Sequence, residues 1–297
     1  MQIPDSGYKQ LYDFSPNYAT VAGHNMHYLD EGSGAPLVML HGNPSWSFMY
    51  RELIKAMRPS HRIIAPDHIG CGLSDKPSDN KYKYTLEQRI NDLESLLEQL
   101  EIRKNITLVV HDWGGLIGGG YAVRHPDRIA KLVILNSSAF NVPNGKELHW
   151  TLRFCSQSAL AVALMEKMNA FSVVSTLLGV RKHRMPSLVK KAYKAPYHSV
   201  SSSRAVVRFI QDIPFEESHP TNRTIQEISD SLYHLNRKPM LICWGEKDFI
   251  FDLDFLREWQ RRFPRAEVKR FPGAGHYVLE DETEAVCRYI KEFLRIP

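Results

Sequence analysis

Leu108-Val-Val-His-Asp-Trp-Gly-Gly115 decides the fold. An apolar run stops at a charged residue and passes straight into glycines and a new apolar periodicity, which is how a buried strand turning sharply into a helix reads. Such a turn lifts one side chain above the sheet, and small residues just after it let helix and strand approach closely. Here that side chain is Asp112. A carboxylate attacks carbon without first losing a proton, so it suits displacement of a good leaving group better than peptide or ester cleavage. The plain alternative is a buried strand ending in a helix-capping aspartate.

The flanking sequence alternates strand and helix patterns. Upstream, Tyr18 to Asp30 reads as two short strands joined at Gly23-His-Asn25, and Pro36-Leu-Val-Met-Leu-His41 as a central parallel strand covered on both faces. A helix from Ser47 to Met57 and the strand Arg62-Ile-Ile-Ala-Pro66 follow. From Thr85 to Leu100 apolar residues recur at helical spacing, with Thr85 and Gln88 placed for a capping box. Gly118, Gly119 and Gly120 lower helix propensity just after the elbow, a cost explicable only by very close packing. Ile129 to Leu135 is the next strand. Between residues 141 and 236 the alternation gives way to amphipathic helical stretches, such as Ser158 to Met168 and Ala205 to Gln211. It resumes with Met240-Leu-Ile-Cys-Trp244, a helix near Leu253 to Phe263, the strand Ala266 to Phe271 and a last helix from Thr283 to Leu294. The expectation is an α/β fold: a mostly parallel, doubly wound main domain of residues 1–140 and 237–297, with a helical cap, or lid, of residues 141–236.

Composition sets outer limits. A chain of 297 residues, 43% hydrophobic, can bury one large core, and its net charge of +5 is spread without an aromatic-laced basic stripe, so nucleic acid is not implied. Arg181-Lys-His-Arg184 with Lys190 and Lys191 is the densest basic cluster, read as a solvated helix face. Cys71, Cys155, Cys243 and Cys287 are too scattered for a zinc site or redox dithiol and read as reduced thiols. The first ten residues lack a basic-then-apolar leader, and no stretch is long and apolar enough to span a bilayer; a cytoplasmic location is expected.

The candidates for chemistry sit where strands end: Asn43, Asp112 with Trp113, Asp248 in Trp244-Gly-Glu-Lys-Asp248, and His276 in Pro272-Gly-Ala-Gly-His276. Each has a plainer reading, since most of the thirteen histidines are surface or satisfied core residues and Asp248 could cap a helix, leaving Asp252 or Asp254 as the acid. His41, Ser45, Ser137 and Ser138 also lie near strand ends but lack a glycine-flanked elbow, so backbone hydrogen bonds and loop shape are their expected roles.

Taken in order, HGNPSW (41–46), DHIGCGLSDKP (67–77), VVHDWGG (109–115), WGEKDF (244–249) and GAGHYVLED (273–281) resemble the haloalkane dehalogenase family of α/β-hydrolases over nearly the whole chain. LNSSAF (135–140) and QDIPFE (211–216) are most similar to its third subfamily, which includes the β-lactone decarboxylases of bacterial olefin biosynthesis. The resemblance implies the α/β-hydrolase fold, with Asp112 as nucleophile, His276 as base and Asp248 as the acid that orients it. It further implies that Asn43 and the Trp113 indole hold the leaving group. Their N–H groups are donors fit for an anion. Other dehalogenases carry the acid after the sixth strand, where this chain has Asn136, so that duty falls on Asp248.

The implied reaction forms an alkyl-enzyme ester at an sp3 carbon of an apolar substrate and hydrolyses it to an alcohol, with no metal or cofactor. Opening of a dialkyl β-lactone to an alkene is the alternative. It would add a multi-enzyme assembly as partner and give the Arg181 cluster a role. Epoxide hydrolysis would need Tyr193 and Tyr197 as proton donors, and a non-catalytic binding or assembly protein would show a broken triad.

Overall fold

The strands are β1 (Asn17–Val21), β2 (His24–Glu31), β3 (Pro36–Leu40), β4 (Arg62–Pro66), β5 (Ile106–Asp112), β6 (Ile129–Ser137), β7 (Met240–Gly245) and β8 (Glu267–Phe271). In the computed structural model, which describes residues 7–143, 146–147 and 150–295, they form one sheet in the order β1-β2-β4-β3-β5-β6-β7-β8. Residues 1–6 of the N-terminal stretch read above for a leader lie outside the described residues. Only β1 with β2 and β2 with β4 pair antiparallel; the six strands from β4 to β8 are parallel. The chain winds outward from β3 to β4, then returns to place β5 on the other side of β3. That reversal is a topological switch point, where the ends of two adjacent strands diverge and leave a crevice.

The continuous apolar runs are explained by two-sided burial. Val38, Leu40, Leu108, Val110, Leu132 and Ile134 face one core, whereas Leu37, Met39, Val109, Val133 and Leu135 face the other. The first core is closed by α2 (Leu86–Gln99) and α3 (Trp113–Arg124), the second by α1 (Arg51–Met57). A 3-10 turn, Ser47–Tyr50, precedes α1, so the expected helix from Ser47 starts as a tighter coil. The capping box at Thr85 is half formed: its hydroxyl accepts from the Gln88 backbone at 3.3 Å, but the Gln88 side chain turns to Asp92.

The glycines of α3 carry the close packing that their sequence demands. A Cβ on Gly118 would lie 2.8 Å from Val110 Cγ1 and 2.9 Å from Leu40 Cδ1, and one on Gly119 would lie 2.7 Å from Ala139 Cβ.

Between β6 and β7 run α4 (Trp150–Gln157), α5 (Ala159–Met168), α6 (Ala170–Leu178), α7 (Ser187–Lys194), α8 (Val200–Gln211) and α9 (Pro220–Ser231). The chain closes with α10 (Leu253–Arg262), α11 (Val278–Asp281) and α12 (Thr283–Arg295). Helix α8 begins five residues earlier than its apolar periodicity, because Ser199 and Ser202 form a reciprocal capping box. Helix α9 packs against α2 and α3, while α4, α5 and α8 pack on one another.

Asp212, within QDIPFE, ties the end of α8 to α2 and α9. Its carboxylate accepts from the Leu86 backbone and from Thr221 Oγ1, each at 2.6 Å, and faces Arg89. Asp67, within DHIGCGLSDKP, knots another corner by accepting from Ser47 N at 2.7 Å, Leu73 N at 2.8 Å and His27 Nδ1 at 2.8 Å. Among the described residues no single helix is long and apolar enough to cross a membrane.

Candidate active site

Asp112 closes β5 with φ 50° and ψ −126°, a left-handed setting that costs a non-glycine residue of order 1–3 kcal/mol and persists only where the surroundings enforce it. They do so from several sides. Ser137 Oγ donates to the Asp112 carbonyl at 2.5 Å, and Trp259 Nε1 donates to the Ser137 carbonyl at 2.7 Å. A Cβ on Gly42 would collide with the Asp112 carboxylate, one on Gly114 with the Leu40 carbonyl, and one on Gly115 with Ser137 Oγ. The turn therefore closes only with glycine at these places.

The carboxylate faces β3 across the switch point. Its Oδ1 accepts from the Asn43 backbone N–H at 2.8 Å, and the Trp113 backbone N–H adds a favourable interaction with the charged form. Burial pushes the Asp112 pKa up, against the opposing pull of His276 and these two amides, and the balance stays above the ordinary carboxylate value. The Asn43 side chain donates to the Val206 carbonyl of α8 at 3.0 Å. Phe209 of α8 lies against the Trp113 ring at 5.3 Å, and the indole N–H of Trp113 has no partner among the described residues.

His276 arrives on the loop between β8 and α11. Its Nδ1 lies 2.8 Å from Asp248 Oδ2 and its Nε2 3.6 Å from Asp112 Oδ2. Burial works against the imidazolium, yet Asp248 and then Asp112 outweigh it, and the His276 pKa is raised. Asp248 is itself fixed: Oδ1 accepts from Ile250 N at 2.8 Å, and Oδ2 accepts from Asn136 Nδ2 at 3.1 Å. Asn136 also exchanges hydrogen bonds with the Gly245 backbone, from 2.8 to 2.9 Å, which locks the end of β6 to the end of β7. All five residues singled out from the sequence, Asn43, Asp112, Trp113, Asp248 and His276, thus converge.

The alternatives fall elsewhere. Asp252 accepts from the Asp254 backbone at the start of α10, and both acids pair with Lys146. Ser45 and Ser138 bond nearby backbone, and His41 Nδ1 lies 2.8 Å from the Gly42 carbonyl. Tyr193 donates to Glu280 at 2.7 Å and Tyr197 to the Ser45 carbonyl at 3.0 Å; neither reaches the cavity described below.

His111 is a contributor that the sequence does not single out. Its Nε2 lies 2.9 Å from the His276 carbonyl, which can only accept, so Nε2 carries the proton. Burial and the neighbouring His276 hold the His111 pKa well below the usual value. The neutral ring packs 4.5 Å from the His276 ring and steadies it. The only signal for it in the sequence is a polar residue inside an apolar strand.

Above Asp112 lies a cavity of about 1070 Å³ between the strand ends and the inserted helices. Asn43, Asp112, Trp113 and His276 form its polar floor, and its walls are largely aliphatic and aromatic, among them Leu152, Met165, Phe171, Ile210, Ile213 and Phe251. A preorganised carboxylate, an imidazole backed by a second carboxylate, and donors at the base of an apolar cavity suit nucleophilic attack at carbon.

Residues 35–283 match the family model of the α/β-hydrolase fold. The chain belongs to that family. It is 46% identical over 284 residues, 96% of this chain and 89% of the relative, to the cis-3-alkyl-4-alkyloxetan-2-one decarboxylase of Shewanella oneidensis. It is 30% identical to a haloalkane dehalogenase of Psychrobacter cryohalolentis, covering 99% of this chain and 97% of that one. Among solved structures, the haloalkane dehalogenase of Bradyrhizobium elkani superposes with a TM-score of 0.84 at 25% identity, over 95% of this chain and 98% of that one. The resemblance expected from HGNPSW through GAGHYVLED holds, and this α/β-hydrolase is an enzyme of the dehalogenase-like branch.

Proposed function

We propose that this enzyme converts a β-lactone bearing two alkyl chains into an alkene and carbon dioxide, with Asp112 as the covalent nucleophile. The observation that carries the reading is the Asp112 carboxylate, pinned in a left-handed elbow at the floor of a large apolar cavity. The 46% identity to an oxetanone decarboxylase supports the choice of substrate.

The chemistry balances without water. Asp112 attacks the sp3 ring carbon that bears the ring oxygen; the carbon–oxygen bond breaks and its electron pair leaves on the freed carboxylate. The indole N–H of Trp113 and the side-chain N–H of Asn43 not given to Val206 are donors at the cavity floor that suit that developing charge. The bond from the neighbouring carbon to the carboxylate then breaks, its pair forms the double bond, and the Asp112 carboxylate departs. Inversion at the first step and anti departure at the second keep the two alkyl groups cis. Asp248 orients the His276 ring, whose positive form opposes the burial that would protonate Asp112. The inserted helices act as the cap, and residues 141–236 supply most of the cavity wall.

A second reading rests on the 3.6 Å separation of His276 Nε2 from Asp112 Oδ2. An alkyl ester formed from a haloalkane has no carboxylate to lose, and one water between imidazole and ester carbon would be activated by His276. The two readings share Asp112 and differ in what empties it.

Incubation of the protein with a cis-3,4-dialkyl oxetan-2-one, read by gas chromatography, is expected to give the cis alkene. Asp112→Asn should lower its formation by more than about a thousandfold, a barrier change of roughly 4 kcal/mol. Hydroxy acid in place of alkene would refute decarboxylation, and alkene formation by Asp112→Asn near the wild-type rate would refute the nucleophile.

A further inference from the structure

Charge is distributed unevenly. Between Trp150 and Lys194 stand eight Lys and Arg but a single acid, Glu166, whereas the whole chain is only +5, so the remainder is slightly acidic. Of the eight, Lys182 alone has a carboxylate partner, Glu282, among the described residues. The segment that carries Arg181, Lys182 and Arg184 follows α6 directly, and α7, with Lys190, Lys191 and Lys194, packs on α6.

The same segment shows large apolar side chains to solvent. Met168 is 68% exposed, Leu160 67% and Leu177 57%, with Phe154, Val174 and Leu178 also exposed. Four of these six, Phe154, Leu160, Val174 and Leu178, line the cavity as well. At these four side chains the apolar surface continues from the outside of α4 to α6 into the chamber that ends at Asp112. Helices α5 and α6 meet at 83°, which gives two short arms that cannot span a bilayer in line but can lie within its interface.

We propose that this face docks on an anionic lipid surface, with α5 and α6 settled at the boundary of headgroups and acyl chains and the cavity mouth open to the hydrocarbon. Protein interfaces concentrate aromatic residues and exclude lysine. Here Leu, Val and Met outnumber the exposed Trp150 and Phe154 and sit beside unpaired lysines, the pattern of an interfacial helix. The inference rests on the proposed function in one respect: an alkyl-chain substrate and its alkene dissolve in the lipid, so a mouth facing the bilayer admits one and returns the other.

The test is flotation of the full chain with vesicles of phosphatidylglycerol and phosphatidylcholine, against vesicles of phosphatidylcholine alone. Wild type should float with the anionic vesicles and far less with the neutral ones, and added salt should release it. Two double variants outside the cavity wall, M168E/L177E and R184E/K191E, should each weaken binding by at least about tenfold. Unchanged thermal midpoints would establish that they fold. Asp112→Asn should float like wild type, which separates docking from chemistry: an inert protein that floats fails only the reaction, and an active one that does not float fails only the docking. Absence of flotation on anionic vesicles overturns the proposal, as does binding that neither double variant alters. A dimer that both variants dissolve, in a protein that does not float, would assign the face to a second copy and overturn it equally.

Discussion

At the scale of the residue, environment rather than identity separates two aspartates. Asp112 is desolvated at the elbow with its pKa raised, while Asp248 is wrapped by Asn136 and the Ile250 amide and aimed at His276. The sign of a pH effect follows. Lactone opening needs only the Asp112 carboxylate, so its acid limb should lie above the ordinary carboxylate value near 3.9. Since His276 opposes the rise, His276→Phe should move that limb to higher pH. Hydrolysis of an ester formed from a haloalkane needs neutral His276, whose pKa is raised, so that activity should fall as pH drops through a value above about 6.5. Profiles of kcat against pH for both substrates check this, because ester hydrolysis follows the committed loss of halide and enters kcat alone, and a single limb common to both would contradict it. The five site residues were legible because each stands at a strand end in a short glycine- or turn-rich loop. His111 and Asn136 were not legible as supports. Their partners, the His276 carbonyl and Asp248, lie more than a hundred positions away in the chain.

At the scale of the element, the elbow works because strand and helix nearly touch. Replacing Gly114 by alanine favours the helix by about 1 kcal/mol in propensity. It also drives a methyl group into the Leu40 carbonyl, which is backbone and cannot step aside. Overpacking of this kind costs about 1–3 kcal/mol or more. Gly114→Ala should therefore lower the thermal midpoint and, by displacing Asp112 from the Asn43 amide, also cut turnover; calorimetry beside an activity assay tests it, and a stabilised, active variant would show that the contact is not tight. Strands and the helices flanking them were readable from apolar period. Helices α4, α6, α7 and α9, and the first turn of α8, were not picked out; contacts with α2 and α3 place α9, and a serine capping box starts α8, neither of which apolar period reveals.

At the scale of the whole molecule, the inserted helices turn a strand-end crevice into a chamber. Leu160, Leu164, Met165, Phe171 and Leu178 of these helices face it. Met168 and Leu177 instead point to solvent. Each buried methylene contributes roughly 0.8 kcal/mol. Lengthening either alkyl arm should then raise kcat/KM by about fourfold per carbon until the chamber is filled. A profile flat in chain length would mean that these side chains only pack the cap onto the sheet.

The covalent role of Asp112 is tested most directly by intact-mass spectrometry on His276→Phe after exposure to a long-chain bromoalkane. Without the imidazole, an ester formed at Asp112 has no base to clear it. The predicted result is a gain of one alkyl group per protein, located on the peptide that contains Asp112, with about one equivalent of bromide released and lactone turnover lost in proportion. An unmodified Asp112, in a variant exposed to a bromoalkane that the wild type debrominates, would contradict it.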